Sequence, residues 1–184
     1  PDGKQLACTY FEGDVQDRAR LAIIELGTRQ VRFPLDQYGP QVAPAWAPNG
    51  SRVAYGYGHC NDACGRIIQE PWLVNLATGL AQQAVLTGAN TADFAWDPAG
   101  NMFAFSSDRA GNFDIWMFDP EADRLTQATN DPAFDGSPTF GPDGRRLAFI
   151  SNRSGTNKIW IMDLETKSLT LFDPLGEERG AAYK

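Results

Sequence analysis

Short apolar segments alternate with polar turns along the whole chain, and no apolar run keeps a 3.6-residue period long enough for a helix. The segments fall in one repeated order. A short strand closing on an aromatic residue is predicted at 43–46, 93–96, 138–140 and 181–183, ending on Trp46, Trp96, Phe140 and Tyr183. A second, alternating strand follows at 5–10, 52–55, 101–105 and 146–150, in which Leu6, Val53, Phe103 and Leu147 are equivalent and each precedes an alanine. A third, apolar strand at 21–26, 72–76, 115–118 and 159–162 runs to Glu25, Asn75, Asp119 or Asp163 in register. A fourth, more polar strand is predicted at 30–33, 80–86, 124–128 and 168–172.

The first two strands of each unit are joined by one phrase, Trp46-Ala47-Pro48-Asn49-Gly50, then Trp96-Asp97-Pro98-Ala99-Gly100, then Phe140-Gly141-Pro142-Asp143-Gly144. Proline fixes φ and glycine supplies the positive φ that closes a tight reversal. Pro1-Asp2-Gly3 is the tail of the same phrase, and Tyr183-Lys184 is its head. The anchors Gly3, Gly50, Gly100 and Gly144 lie 47, 50 and 44 residues apart. Strand-rich repeats of this period predict an all-β fold, a β-propeller of four four-stranded blades in a single domain, 1–184. The blades are expected to close as a four-bladed ring, to join a second chain in an eight-bladed homodimer, or to form part of a larger propeller. Trp46, Trp96, Trp116 and Trp160 are expected between blades, and the polar fourth strand at the outer edge.

Composition narrows the partners. A net charge of −7 and a pI near 4.6 argue against nucleic acid and anionic membrane surfaces, both of which need a basic footprint. No stretch approaches the ~20 apolar residues of a membrane span. Of the three cysteines, Cys8 sits in a strand pattern as a small hydrophobe. Cys60 and Cys64 are close enough for a local disulfide across a turn, which would mark an oxidising compartment. Two unpaired thiols are the alternative.

Residues 96–119 closely resemble the PD40, or WD40-like, repeat of TolB-like β-propellers; 140–163 match it nearly as well, and 46–76 and 3–26 more loosely. The resemblance implies a non-enzymatic scaffold that binds a protein or peptide in the bacterial cell envelope, periplasmic or extracellular. The same repeats occur in propellers of prolyl-oligopeptidase-type peptidases, so a propeller within a larger hydrolase, or a carbohydrate-binding one, is the alternative. The chain departs from the family in having four repeats where six or more blades are usual. It also departs in a longer loop over 59–71 that holds His59, Cys60 and Cys64. Loops on one face of a repeat array are where partner contacts concentrate. The candidate contacts are His59, Asn61, Asp62 and Arg66 in the second repeat, Asp108, Arg109 and Asn112 in the third, and Asn152, Arg153 and Lys158 in the fourth.

No catalytic residue is nominated. The frames Ser154-Gly155 and Gly136-Ser137 lack the Gly-x-Ser-x-Gly nucleophile turn, and the sole histidine, His59, lies upstream of both. No His-Glu-x-x-His or Cys-x-x-Cys pair offers a metal site, so no metal or other cofactor is expected. Calcium is the cation that loop oxygens would suit, but no Asp-x-Asp-x-Asp-Gly loop supports it. Asp93, Asp131 and Asp135 are expected in the loops joining one repeat to the next, where paired carboxylates would sit in a glycosidase propeller.

Overall fold

The computed structural model describes residues 2–11, 13, 19–36, 39–60, 67–86 and 88–172, with the backbone alone for Cys60 and Ile67. Among the described residues every regular element is a strand. The chain divides into two compact units, Pro1–Phe94 and Ala95–Lys184, with the division inside the eighth strand.

In the first unit, β1 (Gln5–Phe11), β2 (Ala19–Glu25) and β3 (Val31–Arg32) form one antiparallel sheet. A second sheet runs β4 (Gln41–Trp46), β5 (Arg52–Cys60), β6 (Ile67–Asn75) and β7 (Ala81–Gln83). Leu21 and Ile23 of the first sheet bury against Val53, Tyr55 and Val74 of the second, with Trp46 and Trp72 closing the margin. Period-2 alternation puts these residues on one face of each strand, and each large apolar side chain so buried contributes about 1.5–3 kcal/mol. The predicted strand 181–183 lies outside the described residues, so the first sheet is described with three strands. Leu6 is half exposed there, whereas its equivalents Val53, Phe103 and Leu147 are fully buried.

The remaining sheets are β8 (Thr91–Trp96), β9 (Phe103–Ser107), β10 (Asp114–Asp119) and β11 (Arg124–Gln127), then β12 (Asp135–Phe140), β13 (Arg146–Ser151), β14 (Lys158–Asp163) and β15 (Leu169–Leu171). In the second unit Ala104 and Ile115 pack against Leu147, Phe149, Trp160 and Met162. The register repeats from sheet to sheet: Tyr55 faces Trp72, Phe105 faces Trp116 and Phe149 faces Trp160. Trp72 therefore holds the place of Trp116 and Trp160, as the register of Asn75 with Asp119 and Asp163 implies. The four sheets are the blades of a β-propeller fold.

The turns explain the repeated polar letters. The Gly50, Gly100 and Gly144 amides each bond back three residues at 2.9–3.0 Å, and all three glycines have positive φ. Where the third strand ends, Asn75, Asp119 and Asp163 accept amides two and three residues on, folding the chain toward the fourth strand. The Thr166 amide and hydroxyl hold the Asp163 carboxyl below its ordinary pKa. Glu25 occupies this place in the first sheet, and its longer side chain bonds Gln5 across the strands.

Two expectations are corrected. Of the long loop expected over 59–71, the described residues 59–60 and 67–71 are strand: β5 reaches Cys60, β6 starts at Ile67, and the two pair as far as Cys60↔Ile67. Gly58 suits a close approach, because a Cβ there would lie 3.1 Å from the Pro40 ring, which would have to shift, while its amide bonds the Pro40 carbonyl at 2.8 Å. Residues 61–66 lie outside the described residues. Asp93 and Asp135, expected in connecting loops, belong to β8 and β12. Asp93 shares with Ala43 and Ser137 a left-handed backbone at the third residue of each first strand, and a register shift marks this point in β4 and β12.

Candidate partner-binding loop ends

In the second unit, the β9–β10 and β13–β14 hairpins end in the same turn. Gly111 and Gly155 bond back to Asp108 and Asn152 at 3.0 and 2.8 Å, and the Ser107 and Ser151 hydroxyls accept the Arg109 and Arg153 amides. Both serines are buried, while the turn tips at Ala110 and Ser154 are exposed.

Struts hold these tips. Asn112 donates to the carbonyls of Asp131 and Ala133 at 2.7 and 2.9 Å, and Asn152 accepts the Phe134 amide at 2.9 Å. The segment joining β11 to β12 is thus tied to both hairpin ends. Arg153 donates to both carboxylate oxygens of the fully buried Asp135 at 2.9 and 2.7 Å and to the Ser151 hydroxyl at 2.9 Å. Its guanidinium carbon also lies 5.3 Å from the ring centres of Phe149 and Trp160. Both carboxylate bonds come from one terminal nitrogen of Arg153, and removing either partner strands a buried charge. Arg109 lies 4.6 Å over Trp116, but its side chain is exposed.

Asp114 opens β10 and is fully buried. It accepts from Gln127, Thr129 and the Asp131 amide at 3.1–3.3 Å, all neutral donors. Burial pushes its carboxyl above the ordinary value, and the neighbouring Asp135 charge adds to the rise while the donors oppose it. The first unit repeats this arrangement. Glu70 holds the same register in β6, accepts the Gly88 amide at 2.8 Å and bonds Gln83, the counterpart of Gln127. Sequence reasoning missed this carboxylate–glutamine–amide network. Its signal is an acid two residues before the third-strand tryptophan, followed by glutamine directly across from that tryptophan in the fourth strand.

Of the nominated contacts, Arg109, Asn112, Asn152 and Arg153 gather at the two hairpin ends of the second unit, and Asp108 begins the first of those turns. Lys158, expected in the loop, is the exposed first residue of β14 and pairs with Ser151. His59 belongs to the first unit, in strand β5, with its Nε2 3.8 Å from Glu70. Asn61, Asp62, Cys64 and Arg66 lie outside the described residues, as does the Cys60 side chain, and with them the proposed disulfide. Among the described residues no three His, Cys, Asp or Glu side chains gather as a metal site.

Four-stranded antiparallel blades carrying these turns define the class of the domain. The chain belongs to the PD40 family, the TolB beta propeller domain, whose family model matches residues 68–178. No curated protein matches it. Among solved structures it is similar to TolB from Acinetobacter baumannii, at 23% identity and a TM-score of 0.78 over 94% of this chain and 41% of that one. It is also similar to the putative TolB from Agrobacterium tumefaciens, at 16% identity and a TM-score of 0.78 over 93% of this chain and 61% of that one. A puromycin-hydrolyzing peptidase from Mycobacterium tuberculosis gives 16% identity and a TM-score of 0.71 over 92% of this chain and 29% of that one. The chain spans less than two thirds of the length of each, and at these identities the likeness is one of fold.

Proposed function

We propose that this domain is a non-enzymatic, TolB-like scaffold that binds a protein or peptide partner in the bacterial cell envelope, on the periplasmic or extracellular side. The observation that carries the reading is the bracing of the 108–112 and 152–157 hairpin ends. Their inner polar groups are engaged in struts, which leaves exposed tips on a rigid base. A preorganised surface loses less conformational freedom on association, which suits recognition. The likeness to a peptidase is one of fold and supplies no nucleophile or base at these ends. A second copy of the chain is one protein partner to test.

Photo-crosslinkers placed at Ala110 and Ser154, with Glu165 at the opposite end of β14 as control, test the reading in envelope preparations. One discrete adduct from Ala110 and Ser154 that is absent from Glu165 is the expected result. The same scatter of adducts from all three positions overturns it.

A further inference from the structure

We infer that Arg109 forms a receptor for a carboxylate carried by the partner peptide. This rests on the partner-binding reading above and names the chemistry of the contact. Ser107-Asp108-Arg109 and Ser151-Asn152-Arg153 make the same turn, and each arginine lies over the tryptophan of its third strand. In the fourth blade the guanidinium is paired from within, because both Asp135 oxygens accept from one terminal nitrogen of Arg153 at 2.9 and 2.7 Å. The Asp135 carboxylate is therefore an internal example of the ligand this arrangement takes.

In the third blade the carboxylate is missing from the sequence. β8 opens on Thr91 where β12 opens on Asp135, and the Thr91 hydroxyl donates to the Gln69 carbonyl at 2.8 Å. Among the described residues no acid pairs with Arg109, which is exposed and lies 4.6 Å over the Trp116 ring. An exposed arginine ordinarily samples many rotamers. Stacking on an indole face restricts the guanidinium, so less freedom is lost when a carboxylate pairs with it. The chain's net charge of −7 repels any anion, and a carboxylate carried on a peptide offsets that repulsion through further contacts with the hairpin ends. It is either an acidic side chain or a C-terminal carboxylate.

NMR titration of the whole chain tests this, with the Arg109 Nε–H and Trp116 indole N–H signals as reporters. Three hexapeptide probes are compared: an end-capped one containing Asp and Glu, an uncharged one with a free C-terminus, and an end-capped neutral one. One of the two acidic probes is expected to shift both reporters, and which one does so identifies the source; the neutral probe is expected to leave both unmoved. Arg109→Gln should weaken binding about tenfold or more, the worth of a charge-assisted pair. Arg109→Lys, which keeps the charge and loses the guanidinium stacked on Trp116, should fall between. Unchanged remaining signals certify the fold of each variant. Equal response to all three probes, or full binding by Arg109→Gln, overturns the inference. If Arg109→Gln still gives the discrete Ser154 adduct, the carboxylate assignment fails and the scaffold reading stands.

Discussion

The β9–β10 and β13–β14 hairpin ends carry one motif with opposite consequences. Ser151-Asn152-Arg153 is locked, its guanidinium side chain only 11% exposed and bonded to a fully buried Asp135. Ser107-Asp108-Arg109 places its arginine over the equivalent tryptophan and leaves it exposed. The turns themselves differ at Asp108 and Asn152, and the strand before each hairpin opens on threonine in β8 and on aspartate in β12. An arginine is structural or available according to whether a carboxylate is built in beside it, and a motif read along the chain does not reveal which.

Breaking the locked end should have the largest effect. Asp135→Ala leaves Arg153 as an uncompensated, nearly buried charge and should cost about 3–5 kcal/mol, against about 0.5 kcal/mol or less for Arg109→Ala, as measured by urea denaturation. Equal losses would show that the two arginines are held alike. A smaller effect is expected at the opposite end of the same sheet. Gly144 sits at φ +68°, so Gly144→Ala should destabilise by about 1 kcal/mol through backbone strain alone, with room for the methyl beside Pro98.

The subtlest test is one of pH. Burial raises the Asp114 carboxyl above its ordinary pKa of 3.8, so the folded state favours the protonated form. That contribution to stability is complete below the unfolded pKa and is lost as pH rises through the raised folded value. Asp114→Asn, whose side chain stays neutral, should abolish this fall, so wild type and variant diverge from mildly acidic pH upward in thermal melts recorded across pH. Parallel curves would show that Asp114 titrates normally.

Much of the fold was legible along the chain. Trp96, Pro98 and Gly100 mark a strand end and a turn by local backbone chemistry, and Val53, Phe103 and Leu147 announce a buried face by alternation. The loop residues Arg109, Asn112, Asn152 and Arg153 were legible as a group, because the repeat places them at equivalent turns. Strand length was not. His59 and Cys60 lie in β5 because the β5–β6 ladder continues beyond the repeat's usual turn, and Gly58 and Pro71 within it look like breakers to any local reading.

The repeat period, the turns and the face each strand buries follow from the order of residues along the chain. These depend on φ preferences and on side-chain spacing within about ten residues. That Asp135 clamps Arg153, that Asp114 and Glu70 anchor the segments joining successive sheets, and that Arg109 is left exposed emerge from the packing of the sheets. Each depends on donors and acceptors brought together from different strands and on the exclusion of water around them. Burial and pairing of charge belong to the packed sheets rather than to any stretch of chain.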